Sequence, residues 1–175
     1  MPSIITAAII IGIVILILFI LISLHNKEKK KKATALIAHF NQSGMENNFS
    51  FSCQEILKNC IIGVDGLQRK LLVLEYGENE NHKQIHIVDL NKVKNCELQK
   101  IFSAATQTEK GKAAEVYLEK IQLKFDYVNH TLPVEVVFYD HISNHIYEIS
   151  ELEQKAKDWQ NILIKIITPS KKQIA

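Results

Sequence analysis

The chain opens with an unbroken apolar segment. Residues 4–24 contain no charged side chain, and a helix of this length, at about 1.5 Å per residue, crosses the roughly 30 Å hydrocarbon layer of a bilayer. The pattern predicts a transmembrane helix over 4–24, with residues 1–3 as a short external N-terminus. A cleaved signal peptide is disfavoured because Met1, Pro2 and Ser3 supply no positive charge.

From about residue 49 the pattern changes to short runs of alternating apolar and polar positions, which is typical of antiparallel strands. The runs at 56–64 and 70–76 flank Asp65-Gly66, a turn dipeptide, and predict a hairpin. The runs at 84–90 and 93–102 flank Asn91-Lys92 and predict a second hairpin.

The clearest alternation lies in the predicted strand at 116–128, which follows a predicted loop at 103–114. Alternation places one set of side chains in the core and the other in water. The inward set is Ile121, Leu123, Phe125 and Tyr127, and the outward set is Gln122, Lys124 and Asp126. Pro133 can only open a strand, so the last strand is predicted at 134–139.

The pattern becomes helical at the end of the chain. Ser150 and Glu153 have the spacing of a capping box, which predicts a helix over 150–168 and leaves 169–175 as a tail. Its apolar residues recur at helical spacing and form one stripe: Leu152, Ala156, Trp159, Leu163 and Ile166. We expect this stripe to cover the strands.

Between the membrane segment and the strands, residues 25–48 are predicted to form a basic juxtamembrane segment, a short helix at 33–40 and a polar linker. The basic residues are Lys27, Lys29, Lys30, Lys31 and Lys32. Positive residues mark the cytoplasmic side of a membrane helix, so the N-terminus is expected outside and the rest of the chain in the cytoplasm. The lysines are also candidate contacts to anionic lipid headgroups, at about 1 kcal/mol each.

Six or seven antiparallel strands followed by an amphipathic helix that carries Trp159 resemble the pleckstrin-homology-like (PH-like) superfold. The resemblance covers residues 49–168. It implies a mainly-β domain, a β-barrel or orthogonal sandwich, with the helix capping one corner and Trp159 as a structural anchor. The Ile, Lys and Asn content also resembles that of small membrane-anchored proteins from AT-rich bacterial genomes.

Lipid-binding members of this superfold carry several Lys and Arg residues along their first two strands. Here that region offers Lys58, Arg69 and Lys70 beside Asp65 and Glu75. Because bidentate phosphate recognition favours Arg, this pattern disfavours a phosphoinositide pocket. The resemblance then implies protein or peptide binding at a sheet edge or beside the helix.

Length and charge exclude some classes of function. A chain of 175 residues with one membrane segment is too short for a multidomain enzyme. The net charge is +2, but the lysine run with Glu28 carries +4, so the remaining chain carries −2. The domain is therefore not a basic nucleic-acid binder, and we expect no nucleic-acid partner.

Candidate chemical groups occur, but they do not form a recognised motif. His141 and His145 beside Asp140 have a spacing that suits a metal on a helix, although the surrounding residues favour a loop with solvated histidines. His82 and His86, on a strand, are too far apart to chelate. The remaining groups are the carboxylate pairs Glu78 with Glu80 and Glu151 with Glu153, and the free thiols Cys53, Cys60 and Cys96.

Of the three thiols, Cys53 is expected to be the most exposed, and Cys60 and Cys96 are expected to be buried. We predict no catalytic residue, no cofactor and no metal.

The sequence favours a non-catalytic, membrane-tethered cytoplasmic module for binding or scaffolding, whose partners are the bilayer and a protein of unknown identity. One alternative is an accessory subunit of a larger membrane complex, with Ala8 and Gly12 as a small-residue helix contact. A small-ligand or lipid-binding domain is a further alternative. An enzyme would require a deep cleft lined by His86, Glu97 or Asp126.

Overall fold

The computed structural model describes residues 2–76, 83–104, 116–127 and 134–167. The chain forms two compact units, Met1–Ser43 and Gly44–Ala175. The described elements, in chain order, are α1 (Pro2–Glu46), β1 (Cys53–Ile56), β2 (Cys60–Asp65), β3 (Lys70–Tyr76), β4 (Lys83–Asp89), β5 (Val93–Ala104), β6 (Val116–Tyr127), β7 (Val134–Asp140), a 3-10 turn (Ile146–Glu148) and α2 (Ile149–Ile167). The second unit is mainly β, as predicted.

Helix α1 runs without a break to Glu46. It includes the predicted helix at 33–40 and also residues 41–46, which the sequence pattern assigned to the linker. The side chains of residues 1–14, 17, 26 and 29 lie outside the described part of the chain. Among the residues that remain, no helix has the length and apolarity of a membrane span. The transmembrane segment at 4–24 therefore stays a prediction.

Strands β1 to β4 form one antiparallel sheet in chain order, here called sheet 1. The run at 56–64 is not the single strand that was predicted, because Ile56 at the end of β1 pairs with Ile61 in β2. The Leu57 amide donates to the Cys60 carbonyl (2.8 Å) and closes this bend. Only the polar pair Lys58-Asn59 interrupts the apolar run there, so periodicity alone did not separate the two strands. The predicted hairpin of β2 and β3 is confirmed.

The Asp65 carboxylate organises the turn between β2 and β3. Its Oδ2 accepts from the Ser50 amide (2.7 Å), and its Oδ1 accepts from the amides of Leu67 (2.9 Å) and Gln68 (2.8 Å). The Gln68 bond is the largest influence holding the pKa of Asp65 below its ordinary value of 3.8, against the opposing effect of burial. Arg69, the last residue before β3, has a left-handed backbone conformation (φ 55°).

Strands β5 to β7 form a second antiparallel sheet, here called sheet 2. The predicted hairpin between 84–90 and 93–102 is wrong, because β4 pairs with β3 whereas β5 pairs with β6. The Lys92 amide does donate to the Asp89 carbonyl (3.0 Å), but this turn carries the chain from one sheet to the other. Strand β5 also includes Ser103 and Ala104, which were assigned to the following loop; residues 105–115 lie outside the described ranges.

Strand β6 lies in the centre of sheet 2. Ile121, Leu123 and Phe125 are buried, which confirms the predicted inward face. Gln122 was expected to face water but is only 2% exposed. The pairing with β7 shifts register between Ile121 and Gln122, and such a bulge redirects side chains and interrupts strict alternation.

Helix α2 packs on β5, β6 and β7. Its predicted apolar stripe is confirmed, since Leu152, Ala156, Trp159 and Leu163 are buried. These residues belong to one hydrophobic core that also contains side chains from both sheets. The helix therefore closes the core of the β domain.

The start of α2 differs from the prediction. The helix begins at Ile149, directly after the 3-10 turn, so Ser150 already lies within it and is not the N-cap. The Glu153 carboxylate instead binds the ammonium groups of Lys100 in β5 and Lys157, both at 2.7 Å. The Lys100 contact fixes the first half of the helix to sheet 2, and the Lys157 contact lies within the helix.

The end of α2 is held by the turn between β2 and β3. The Arg69 guanidinium donates from Nη2 to the carbonyl oxygens of Ile166 (2.5 Å) and Ile167 (3.0 Å). The last carbonyls of a helix have no partner within it and carry a partial negative charge, so a cation stabilises them. Arg69 thereby joins the turn between β2 and β3 to the last described turn of α2.

Candidate functional site

The candidate residues named from the sequence lie on the two helices. The side chains of Lys27, Lys30, Lys31 and Lys32 are exposed on α1, and that of Lys29 lies outside the described residues. Their contact with headgroups stays a prediction. Trp159 is only 3% exposed and belongs to the core, where it serves structure.

The histidines after β7 each face a tyrosine. The His141 ring meets the Tyr117 ring edge-on at 4.8 Å, and the His145 ring stacks on the Tyr147 ring at 5.1 Å. In the described ranges no three His, Cys, Asp or Glu side chains are grouped so as to hold a metal ion. Glu78, Glu80 and His82 lie outside those ranges.

The three residues named for an enzyme cleft are not brought together. His86 Nε2 lies 3.9 Å from a carboxylate oxygen of Glu75 in sheet 1. The Glu97 carboxylate accepts from the side-chain Nδ2 of Asn95 (2.7 Å), and the Asp126 carboxylate lies 3.9 Å from the Lys124 ammonium, both in sheet 2. The β domain contains a cavity, and none of these three residues lines it.

That cavity lies between the two sheets and has a volume of about 410 Å³. One wall is a row of side chains across sheet 1, because Glu75 of β3 pairs with both Cys60 of β2 and Gln84 of β4. Val137 and Asp140 of β7 form the opposite wall. The rest of the described lining is Asn59, Tyr76 and Ser143.

Hydrogen bonds fix the polar groups of this cavity. The Tyr76 hydroxyl donates to the Leu57 carbonyl (2.6 Å), and the Cys60 thiol donates to the Val137 carbonyl (3.9 Å). Asp140 Oδ1 accepts from the Ile142 amide (2.9 Å). The cavity thus has walls held in place before any ligand arrives.

No family model, curated protein or solved structure matches this chain. The geometry of the cavity carries the functional argument. Burial, and then the neighbouring Glu75 charge, raise the pKa of Cys60 to about 12. Burial, and then the effect of Cys60, raise the pKa of Tyr76 to about 12. Both groups are protonated at neutral pH, which suits binding and disfavours nucleophilic attack.

A second groove, of about 370 Å³, lies between the β1–β2 bend and the start of α2. Most of its charged lining is already engaged within the protein: the Lys155 ammonium binds Glu151 (3.3 Å) and also Glu55 (3.1 Å), and the Glu148 carboxylate accepts from the His145 amide (2.8 Å). A groove whose charges are already engaged offers less to a charged ligand. The cavity between the sheets is therefore the better candidate.

The sequence does not predict the cavity, because none of its residues forms a motif. Cys60 was identified only as a buried thiol, and Glu75 was considered only as a charge beside the lysines. The available signal was the hairpin register, which places Cys60 opposite Glu75 at the polar end of the apolar run in β3. Asp140 belongs to the other sheet, and no local pattern connects it to Glu75.

The thiols are expected to react in an order set by burial. Iodoacetamide added to the folded full-length protein at pH 8 should modify Cys53, which is half-buried, well before Cys60 and Cys96, which are buried. The pKa of Cys96 is raised to about 12 by burial and then by Glu97, and alkylation requires the thiolate. Mass spectrometry of the digested protein measures the order, and a sample unfolded in guanidinium is the control. Equal rates at Cys53 and Cys60 in the folded protein would contradict the burial of Cys60.

Proposed function

We propose that this chain is a non-catalytic binding module, tethered to a membrane by one helix at 4–24, with its β domain in the cytoplasm. The observation that carries the binding function is the cavity between the two sheets. Its volume of about 410 Å³ lies within the range of small-molecule sites, about 300–1,000 Å³, and several of its polar groups are fixed by hydrogen bonds.

The membrane tether is supported by α1 as well as by the uncharged segment. Eight large apolar side chains described between residues 15 and 24 are all exposed: Ile15, Leu16, Leu18, Phe19, Ile20, Leu21, Ile22 and Leu24. They surround the helix, and a helix that is apolar on every side is typical of a lipid environment. The lysines that follow support the proposed orientation.

A PH-like architecture is the proposed fold of the β domain. It is supported by the order of four strands in one sheet, three in the next and a final helix with buried Trp159. The lipid-binding chemistry of that superfold is not part of the proposal. The cavity presents Glu75 and Asp140, which would repel phosphate groups.

The tether is tested by washing membranes that contain the full-length protein with alkaline carbonate. A transmembrane helix keeps the protein in the pellet, and a variant with Ile13→Arg and Leu16→Arg should move to the supernatant because charges are costly at the bilayer centre. Release of the unchanged protein would contradict the tether. Protease added to sealed vesicles of known orientation then reports the side on which the β domain lies.

The cavity is tested by screening cationic, neutral and anionic fragments against the full-length protein in mild detergent. Gln84→Trp should abolish the binding of fragments that occupy the cavity, because Gln84 is exposed at its rim and a strand accepts an aromatic residue. Gln54→Trp, on exposed β1 outside the cavity, is the matched control. If no fragment distinguishes these two variants, the proposed binding site is wrong.

The accessory-subunit alternative is tested by identifying proteins that purify with this chain from its native membrane in mild detergent. A stoichiometric companion that purifies with the protein would favour a helix contact at Ala8 and Gly12. Loss of the companion in an Ala8→Ile variant would assign the contact to that face. A protein that purifies alone would favour the small-ligand function.

A further inference from the structure

We propose that the ligand of the cavity between the sheets is a small organic cation with a protonated amine or guanidinium group. This inference rests on the proposed function, in which that cavity is the binding site. Two carboxylates from opposite walls, Glu75 of sheet 1 and Asp140 of sheet 2, would hold the positive group. Among the described residues that line the cavity, none is basic.

The Glu75 carboxylate is available for such a contact. An ionisable side chain beside it among the described residues is the His86 imidazole, whose Nε2 lies at the long distance of 3.9 Å. Glu75 also faces the same side of sheet 1 as Cys60 and Gln84, since both pair with it directly across the strands. The carboxylate therefore points along the wall of the cavity and has acceptor capacity left for a ligand.

The Asp140 carboxylate is held rigidly. The Asp140 amide donates to the Asn144 side chain (3.1 Å), and the Asp140 carbonyl accepts from the amides of Ser143 (3.0 Å) and Asn144 (2.7 Å). One carboxylate oxygen, Oδ1, accepts from the Ile142 amide, and Oδ2 has no donor among the described residues. A group fixed in this way loses little conformational entropy when a ligand binds.

The neutral groups of the cavity favour a ligand that donates hydrogen bonds. The hydrogen of the Tyr76 hydroxyl is directed to the Leu57 carbonyl, so its oxygen offers lone pairs to the cavity. The Cys60 thiol hydrogen is directed to the Val137 carbonyl. An ammonium or guanidinium group carries only donors and matches these acceptors, whereas a carboxylate or phosphate ligand does not.

An organic cation fits better than a metal ion. A bound metal requires several ligating side chains close together, and the described part of the chain offers no group of three. The volume of about 410 Å³ is that of a site for a molecule rather than for a single ion.

The test compares 1,4-diaminobutane and agmatine with 1,4-butanediol, a neutral molecule of similar length, by calorimetry on the full-length protein in mild detergent. The two amines should bind saturably and more weakly as salt rises, and the diol should not bind. Glu75→Gln and Asp140→Asn should each weaken binding by about ten- to a hundred-fold, because each removes a charge-assisted bond but keeps the shape. Glu135→Gln, which removes an exposed carboxylate of β7 outside the cavity, is the matched control and should bind as the unchanged protein does.

The outcomes separate this inference from the proposed function. In one outcome, neutral or anionic fragments bind, Gln84→Trp abolishes their binding, and neither amine binds. This result would overturn the cationic ligand but would leave the proposed binding function in place. Amine binding that Glu135→Gln weakens as much as Glu75→Gln would also overturn it, because the attraction would then be a general surface effect. Absence of any fragment that depends on the cavity would overturn both.

Discussion

Replacing Trp159 with alanine is expected to lower the free energy of unfolding by about 3–5 kcal/mol, the usual effect of removing a buried aromatic side chain. Trp159 is 3% exposed and lies in the core shared by α2 and both sheets. Its loss would leave a cavity where the helix meets the strands. Chemical unfolding of the full-length protein in mild detergent, followed by circular dichroism, gives the change. Fluorescence is unsuitable because Trp159 is the only tryptophan.

Asn161→Ala is the control for this variant. Asn161 lies two residues further along α2, on its exposed side, so the substitution should change stability by less than about 0.5 kcal/mol. Equal unfolding midpoints for the two variants would show that the core does not depend on Trp159. The assignment of α2 as the element that closes the core would then be wrong.

Asp65→Ala is expected to destabilise the β domain by a similar amount, about 3–5 kcal/mol. The substitution removes the charged acceptor of three backbone amides, those of Ser50, Leu67 and Gln68, and a hydrogen bond to a charged group contributes about 1.5–3 kcal/mol. Asp65 itself is fully buried. Unfolding in urea at pH 7 measures the loss. A change below 1 kcal/mol would contradict the role of this carboxylate in the turn.

The same residue makes stability depend on acid. The pKa of Asp65 is lower in the folded protein than its ordinary value of 3.8, chiefly through the Gln68 amide. A lowered pKa means that the ionised form favours folding, so this contribution is present above about pH 4 and is lost as pH falls through the folded pKa. Asp65→Asn should therefore be less stable at pH 7 and less sensitive between pH 4 and 2. An equal acid sensitivity in both proteins would assign the effect to other groups.

Much of the fold follows from local pattern. The apolar stripe that contains Ala156 and Leu163 predicted α2, and the alternation around Leu123 predicted β6, because burial of one face imposes a period on the sequence. Pairing between strands was harder. Asn91 and Lys92 indicated a turn correctly, but a turn does not determine which sheet receives the next strand. The bend at Lys58 was missed because apolar residues continue on both sides of it.

The candidate site depends on pairing and was therefore beyond sequence analysis. The register of three strands places Glu75 beside Cys60 and Gln84 in the cavity wall. Asp140 belongs to a different sheet and lies more than sixty residues further along the chain. The histidines, which drew attention by their spacing, face tyrosines instead. Spacing along the chain identifies sites built on one element, whereas this cavity is assembled from elements that meet only after folding.

The contact of Arg69 with the carbonyls of Ile166 and Ile167 also bears on how the protein is made. Nearly a hundred residues separate its two sides, and the second side is the last described turn of the chain. A ribosome delivers the chain from its N-terminus, so the strands emerge before the helix that covers them. The apolar face of sheet 2 therefore stays uncovered until α2 has also left the ribosome. A premature stop codon before Trp159 would leave that face open permanently and would give chaperones and proteases a target.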